Sequence, residues 1–180
     1  MARAQRGDRA AFDEVVRVHH RLVYAYARRV TGTDDQAVEV TQDVFVRAWR
    51  YRASCDPPRL RAWLLGIAAN GARDALRERG VAPAALEDPG ALPAGGEGGL
   101  AALARGALRD EVARAVDALP AEQREVIALK YLSDLSYEDV AEALGLSVGA
   151  ARMRALRARD ALARALARLV QSDSGEGPVP

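Results

Sequence analysis

The chain has 180 residues, 26 basic and 25 acidic side chains for a formal net charge of +1, and 49% of its residues are apolar. That length allows one domain or two small ones, and the abundance of Ala, Leu, Val and Arg with no alternating β-branched run makes the expected fold class all-α. No run approaches the roughly 20 apolar residues that cross a bilayer, no leading segment reads as a signal peptide, and the single Cys55 can form no intrachain disulfide, so the expected location is cytoplasmic.

Asp8 can cap a first helix whose apolar stripe is Phe12, Val15, Val16, Leu22, Val23, Tyr26 and Ala27, ending near Gly32. Thr33 followed by Gln36 reads as a capping box, opening a second helix through Val40, Val44, Phe45, Ala48 and Trp49. An irregular stretch, residues 53–59, contains Pro57 and Pro58. A third helix then runs from about Leu60 to Arg79, with Trp63, Leu64, Ile67, Ala68, Ala72 and Leu76 inward. Residues 1–79 are thus expected to form a three-helix bundle. Residues 80–107 are rich in Pro, Gly and Ala, bury too little to fold alone, and read as a flexible linker, although the stretch from Ala101 to Leu108 can begin a helix. A second helical module is expected over 108–170, with a helix around Val112 to Leu119 and another entered at Pro120, followed by a disordered tail, 171–180. Two weak binding surfaces on one tether act together through effective concentration.

The most informative stretch lies in that second module, SYEDVAEALGLSVGAARMRALRAR from Ser136 to Arg159. Ser136 with Asp139 three residues on forms a capping-box variant, Val140, Ala141 and Leu144 make a stripe, and Gly145 can take the left-handed conformation that ends the helix. Ser147 caps a second helix with Val148, Ala151, Ala155, Ala158 and Leu162 on one face and Arg152, Arg154, Arg157 and Arg159 on the other. From Arg152 to Arg168 six Arg stand against one Asp, a local +5 on a nearly neutral chain. A helix–turn–helix with a basic second member can place that member in the DNA major groove.

Chemistry of other kinds is absent. No nucleophile–base pair or phosphate-cradling Gly loop is found, adjacent His19 and His20 make a poor metal pair, and no catalytic residue, metal or cofactor is expected. Asp35, Glu39 and Asp43 are four apart and share a face, a carboxylate stripe suited to receiving arginines from another protein. Near the helix start, Asp34 and Asp35 also suit the positive end of the helix dipole.

The runs DDQAVEVTQDVFVRAWR, RAWLLGIAANGARDALRER and LPAEQREVIALKYLSDLSYEDVAEALGLSVGAARMRALRAR, in that order and spacing, resemble an extracytoplasmic-function (ECF) bacterial sigma factor. The resemblance implies two helical domains, sigma-2-like and sigma-4-like, joined by a linker. It implies a non-enzyme that binds core RNA polymerase and recognises promoter DNA. By resemblance, Asp35, Glu39, Gln42 and Asp43 would dock the clamp helices of the polymerase. The loop from Ala53 to Arg59 would capture a flipped base of the −10 element, Asn70 would hydrogen-bond a base, and Arg73, Arg77 and Arg79 would meet phosphates. Arg152, Met153, Leu156 and Arg157 would lie nearest the bases of the −35 element, with Arg154 and Arg159 on phosphates. Met153 and Leu156 depart from the polar and aromatic residues common there, and Leu60 stands at a position often aromatic. An anti-sigma factor is an expected further partner. On the residues alone, a stand-alone helix-turn-helix regulator with an N-terminal sensor or dimerisation bundle remains an alternative, as does a helical interaction protein.

Overall fold

The structure, a computed structural model, describes residues 1–78 and 100–173; among them every regular element is helical. Helices α1 (Ala2–Gln5), α2 (Arg9–Thr31), α3 (Asp34–Arg50) and α4 (Leu60–Glu78) build the first module. The second contains α5 (Leu100–Asp117), α6 (Ala121–Ile127), α7 (Tyr137–Leu144) and α8 (Val148–Asp173). Arg79, most of the stretch read as linker, and residues 174–180 lie outside the described residues.

Most boundaries follow from local chemistry. The Asp8 carboxylate accepts from the Ala11 amide at 3.0 Å to start α2, and Gly32, at φ 86°, ends it in the left-handed region. Thr33 is the residue before α3, but it does not close the anticipated capping box: its hydroxyl donates to the Gln36 side chain at 3.4 Å and makes no bond to a helix amide. Two short 3₁₀ turns, Arg52–Ser54 and Pro57–Arg59, carry the chain into α4. The helix expected around Val112 to Leu119 is longer than the spacing suggested. It begins at Leu100, inside the stretch read as linker, and stops at Asp117. A buried side chain closes this end: Arg124 of α6 donates to the carbonyl of Asp117, the last residue of the helix, at 2.6 Å and to that of Leu119 in the following turn at 3.0 Å. One wide turn, Ala128–Leu132, follows α6 with π-type hydrogen bonding. Residues 171–173, placed in the tail by composition, continue α8.

Helix α4 is packed on two sides. At Gly71 an added Cβ would lie 3.5 Å from Val40 Cγ1 of α3; at Gly66 it would lie 3.7 Å from Ala143 Cα of α7. Five residues apart on a helix is about 140° of rotation, so these are different faces. One continuous apolar cluster therefore joins Leu64, Leu65, Ala68 and Ala69 of α4 to Val126, Leu129, Leu135, Val140 and Leu144 of the second module. The tethered layout suggested two independent units; the structure docks one against the other. Small residues make the close approach possible, because helices that meet through Gly and Ala have no long side chains to hold them apart.

Tight packing at Gly71 and open space at Gly149 predict opposite outcomes. Gly71→Leu forces α3 and α4 apart and should cost about 1–3 kcal/mol. Gly149→Ala, with nothing within 4 Å of the new methyl in the first turn of α8, should add about 0.4–1 kcal/mol by restricting the unfolded chain. Urea titration of the two variants reads both signs.

Candidate polymerase and nucleic-acid interfaces

On α3 the core-facing positions Ala37, Val40, Val44 and Ala48 leave Asp35, Glu39 and Gln42 exposed on the opposite side. Asp43 is half-buried and pairs with Arg47 one turn on, at 2.7 Å. The same exposed face carries two valines that the charge pattern did not single out: Val38 is 45% and Val46 59% exposed. Val46 also lines a shallow, mostly apolar groove between α2 and α3, with Val16, His20, Gln42, Phe45 and Trp49. His20 lies nearly parallel to Phe45 and Tyr24, at centroid separations of 6.2 and 6.4 Å, which places the imidazole as a wall of this groove. An acidic and amide stripe beside apolar side chains has the composition of a docking surface with a charged rim. The signal for it was present in the sequence as apolar residues at helical spacing on an otherwise polar face.

The helix–turn–helix forms as its caps require. Ser136 Oγ accepts from the Asp139 amide at 3.0 Å, Gly145 takes φ 65°, and Ser147 Oγ accepts from the Ala150 amide at 3.1 Å. Ala151, Ala155 and Ala158 are fully buried and hold α8 against its neighbours. Arg152, Met153, Leu156, Arg157 and Arg159 are exposed, with the two apolar members 49% and 47% accessible. Arg154 differs from the expected phosphate grip. It points to the other side of α8 and pairs with Glu122 of α6 at 3.1 Å. Arg152 lies over the Tyr137 ring at 5.7 Å and meets Glu138 at 3.5 Å, both on α7. Its guanidinium is thereby held near the mouth of the turn.

The third group, on α4, meets the second module. Asn70 is exposed and accepts from Arg73 at 3.4 Å. Arg73, expected to face phosphate, instead donates to the Glu125 carboxylate at 3.3 Å and to the Ala143 carbonyl at 3.2 Å. Arg77 is exposed and pairs with Asp74 at 3.0 Å. Arg59, at the end of the loop before α4, bridges two carboxylates of α7: Asp139 at 2.6 Å and Glu142 at 2.5 Å. Ser54, Asp56, Trp63 and Asn70 line a groove together with Asp139 and Glu142 of α7. A fourth pair, Arg29 to Asp117 at 2.5 Å, is largely buried between α2 and α5.

These pairs differ in their electrostatics. Burial pushes the Glu125 carboxyl above its usual range; Arg73 acts against that shift without cancelling it. Burial also acts to raise Asp139, but hydrogen bonds from Arg59 and Ser136 outweigh it and hold the carboxyl below the ordinary value. Arg59 is correspondingly held in its charged form by its hydrogen bonds to Asp139 and Glu142. Among the described residues no group of three or more His, Cys, Asp or Glu side chains could hold a metal ion. None of the described helices is long and apolar enough to cross a membrane.

Comparison with known proteins places these surfaces in a family. Sigma-70 region 2 matches residues 15–81, and Sigma-70, region 4 matches residues 109–162. The chain is 34% identical over 167 residues to the ECF RNA polymerase sigma factor SigE of Mycolicibacterium smegmatis, a match covering 90% of this chain and 65% of that protein. It is 31% identical to the RNA polymerase sigma-H factor of Pseudomonas aeruginosa over 94% of this chain and 93% of the other. Among solved structures, the sigma factor RpoE in complex with the anti-sigma factor NepR, from Bartonella quintana, superposes with a TM-score of 0.69 at 28% identity, covering 87% of this chain and 96% of that one. A helical region 2 followed by a helix-turn-helix region 4 is the arrangement of a transcription initiation factor. The chain belongs to the sigma-70 family, in its ECF class, and is an alternative sigma factor that directs transcription initiation.

The raised Glu125 carboxyl gives a pH signature. A carboxyl whose folded value exceeds its unfolded value supports folding fully only below the unfolded value, ordinarily about 4.3, and that support is lost as pH rises through the folded value. Glu125→Gln removes the titration. The difference in unfolding free energy between parent and variant should therefore shift against the parent from about pH 4.3 upward and level off once the folded carboxyl has ionised. A difference independent of pH in urea titrations from pH 4 to 8 would contradict it.

Proposed function

We propose that the two modules divide the work of promoter recognition. Residues 1–79 dock on core RNA polymerase and hold the melted −10 element, and residues 108–170 read the −35 element as duplex. The observation that carries this reading is the face of α8. Arg152, Met153, Leu156, Arg157 and Arg159 stay exposed while Ala151, Ala155 and Ala158 on the opposite face are buried, so the basic face is presented to solvent on a rigid backing. Met153 and Leu156 suit thymine methyl groups and offer no hydrogen-bond donor, which directs the preference at those positions to apolar contact. Arg152 and Arg157 carry the donors for base edges, and Arg159 supplies charge for backbone phosphates, which position the helix without specifying sequence.

On the other module, Asp35, Glu39 and Gln42, with Val38, Val46 and the α2–α3 groove, form the polymerase-docking face. Asn70 reads a base that has left the stack, next to Trp63, whose ring supplies a stacking surface in the same groove. Arg77 supports the strand through its charge. The chain has no catalytic chemistry of its own and works in the cytoplasm, where its polymerase is. A regulatory anti-sigma factor is a further partner, supported by the likeness to a sigma factor solved with one.

Three outcomes test the division. Glu39→Arg should cut retention of core polymerase in a pull-down by about tenfold, as expected for a like-charge clash in an interface rim. Arg159→Ala should lower the salt slope of duplex binding by about 1 and weaken all sequences alike. Asn70→Ala should reduce run-off transcription from a duplex promoter by roughly 5- to 150-fold, the range of one lost base contact, and leave a pre-melted template much less affected. Equal losses on both templates would remove Asn70 from base reading.

A further inference from the structure

Helix α1 is only four residues long, yet it is tied into the loop that precedes α4. Its Ala4 is fully buried, which seats α1 on the first module. The next side chain, Gln5, reaches that loop: its amide nitrogen donates to the Arg52 carbonyl at 3.2 Å and to the Cys55 carbonyl at 2.7 Å. One amide group carries two N–H donors, so a single side chain serves both carbonyls. They flank the 3₁₀ turn Arg52–Ser54, which closes on itself only through the Ser54 amide to Tyr51 at 3.0 Å and the Cys55 amide to Arg52 at 3.3 Å. Hydrogen bonds in such short turns have poorer geometry than those of an α-helix, so contacts from outside the turn decide how firmly it keeps one shape. The Arg52 guanidinium anchors its start, donating to the Trp49 carbonyl at 2.7 Å and lying 4.2 Å from the centre of the Trp49 ring. Gln5 anchors its end.

The pinned turn leads directly into the strand groove. Ser54 and Asp56, on either side of Cys55, line the same groove as Trp63 and Asn70. A recognition site keeps its geometry to within about 0.5 Å only where the groups behind it are locked. From this arrangement we propose that α1 is a specificity element of the strand site: the Gln5 amide holds the turn 52–55 in the shape that sets Ser54 and Asp56 beside Asn70, and thereby sets which base the groove accepts. Gln5 does not line the groove; it is a positioning residue that acts through the loop. This rests on the reading of α4 as the strand-binding helix and extends the site to the loop before it and to α1.

Two variants of the full chain test it. Gln5→Ala removes both hydrogen bonds, and Gln5→Glu keeps the reach but sets a carboxylate, an acceptor only, against two carbonyls. Run-off transcription with core polymerase, from a promoter library randomised across the −10 element, gives the base profile of each variant. One lost hydrogen bond changes an equilibrium by roughly 2- to 12-fold. The preference at the most selective −10 position should therefore fall by about fivefold or more in both variants. The profile from a library randomised at the −35 element should stay that of the parent. Each profile is a ratio within one variant, so a smaller folded fraction lowers all transcripts together and leaves the profile unmoved. Cys55 supplies a reading that needs no DNA. It is the chain's single cysteine and is buried, so its thiol should react with 5,5′-dithiobis(2-nitrobenzoate) about fivefold faster or more once the turn is released. A −10 profile unchanged in both variants overturns the proposal, whatever the thiol rate, and so does a thiol rate equal to the parent's. If Gln5→Ala keeps the parent profile while Asn70→Ala alters it, α4 retains its strand reading and α1 does not belong to the site. If neither alters it, the strand site itself is lost.

Discussion

Helix α4 must be covered on two sides, and most of the structure follows from that. One side is closed by α2 and α3, as in any three-helix bundle. The other presents Gly66 with Leu64, Leu65 and Ala68 nearby, and Ala143 of α7 packs there. A helix apolar around most of its circumference is stable only when buried. The first module therefore acquires a partner, and the partner available in the same chain is the second module. That docking sets where Arg59, Arg73 and Asn70 point.

The near-zero net charge has a structural meaning in this light. Arg29, Arg59 and Arg73 belong to the first module; Asp117, Glu125, Asp139 and Glu142, their partners, belong to the second. The overall balance hides two surfaces of opposite sign that face one another. Their contribution is mainly orientation. Exposed pairs such as Arg59 with Glu142 are worth about 0–1 kcal/mol, and burying a carboxylate such as Glu125 consumes much of what its Arg73 contact returns. The apolar cluster holds the modules together, and the charges choose the register in which they meet.

Legibility divided along the same line. The caps at Asp8, Ser136 and Ser147 and the left-handed glycines at Gly32 and Gly145 act over four or five residues, so local sequence specifies them and they form as read. The buried alanine face of α8 is also local periodicity. The docking is not local: Arg59 meets Asp139 and Glu142 about 80 residues away, and no spacing rule reaches that far. For the same reason the resemblance offers Arg73 and Arg154 to phosphates, whereas each meets a carboxylate on another helix. A hint lay within α4, where Leu64, Leu65, Ala68, Ala69 and Ala72 are all buried and leave little of the helix polar. Reading only an inward stripe missed it. The wide turn at Ala128–Leu132 had no signal, because its residues are as suited to an ordinary helix.

The placement of the polymerase face bears on the order of events. Asp35, Glu39, Gln42, Val38 and Val46 are exposed in the docked chain, on the side of α3 away from α4. On the proposed reading, polymerase can therefore be met in the docked arrangement itself. Parting then exposes the apolar surface around Gly66 and Ala143 and strips Arg59, Arg73 and Arg29 of their partners, a cost that nothing within the chain offsets. A ligand shifts such an equilibrium only by its differential affinity for the open form.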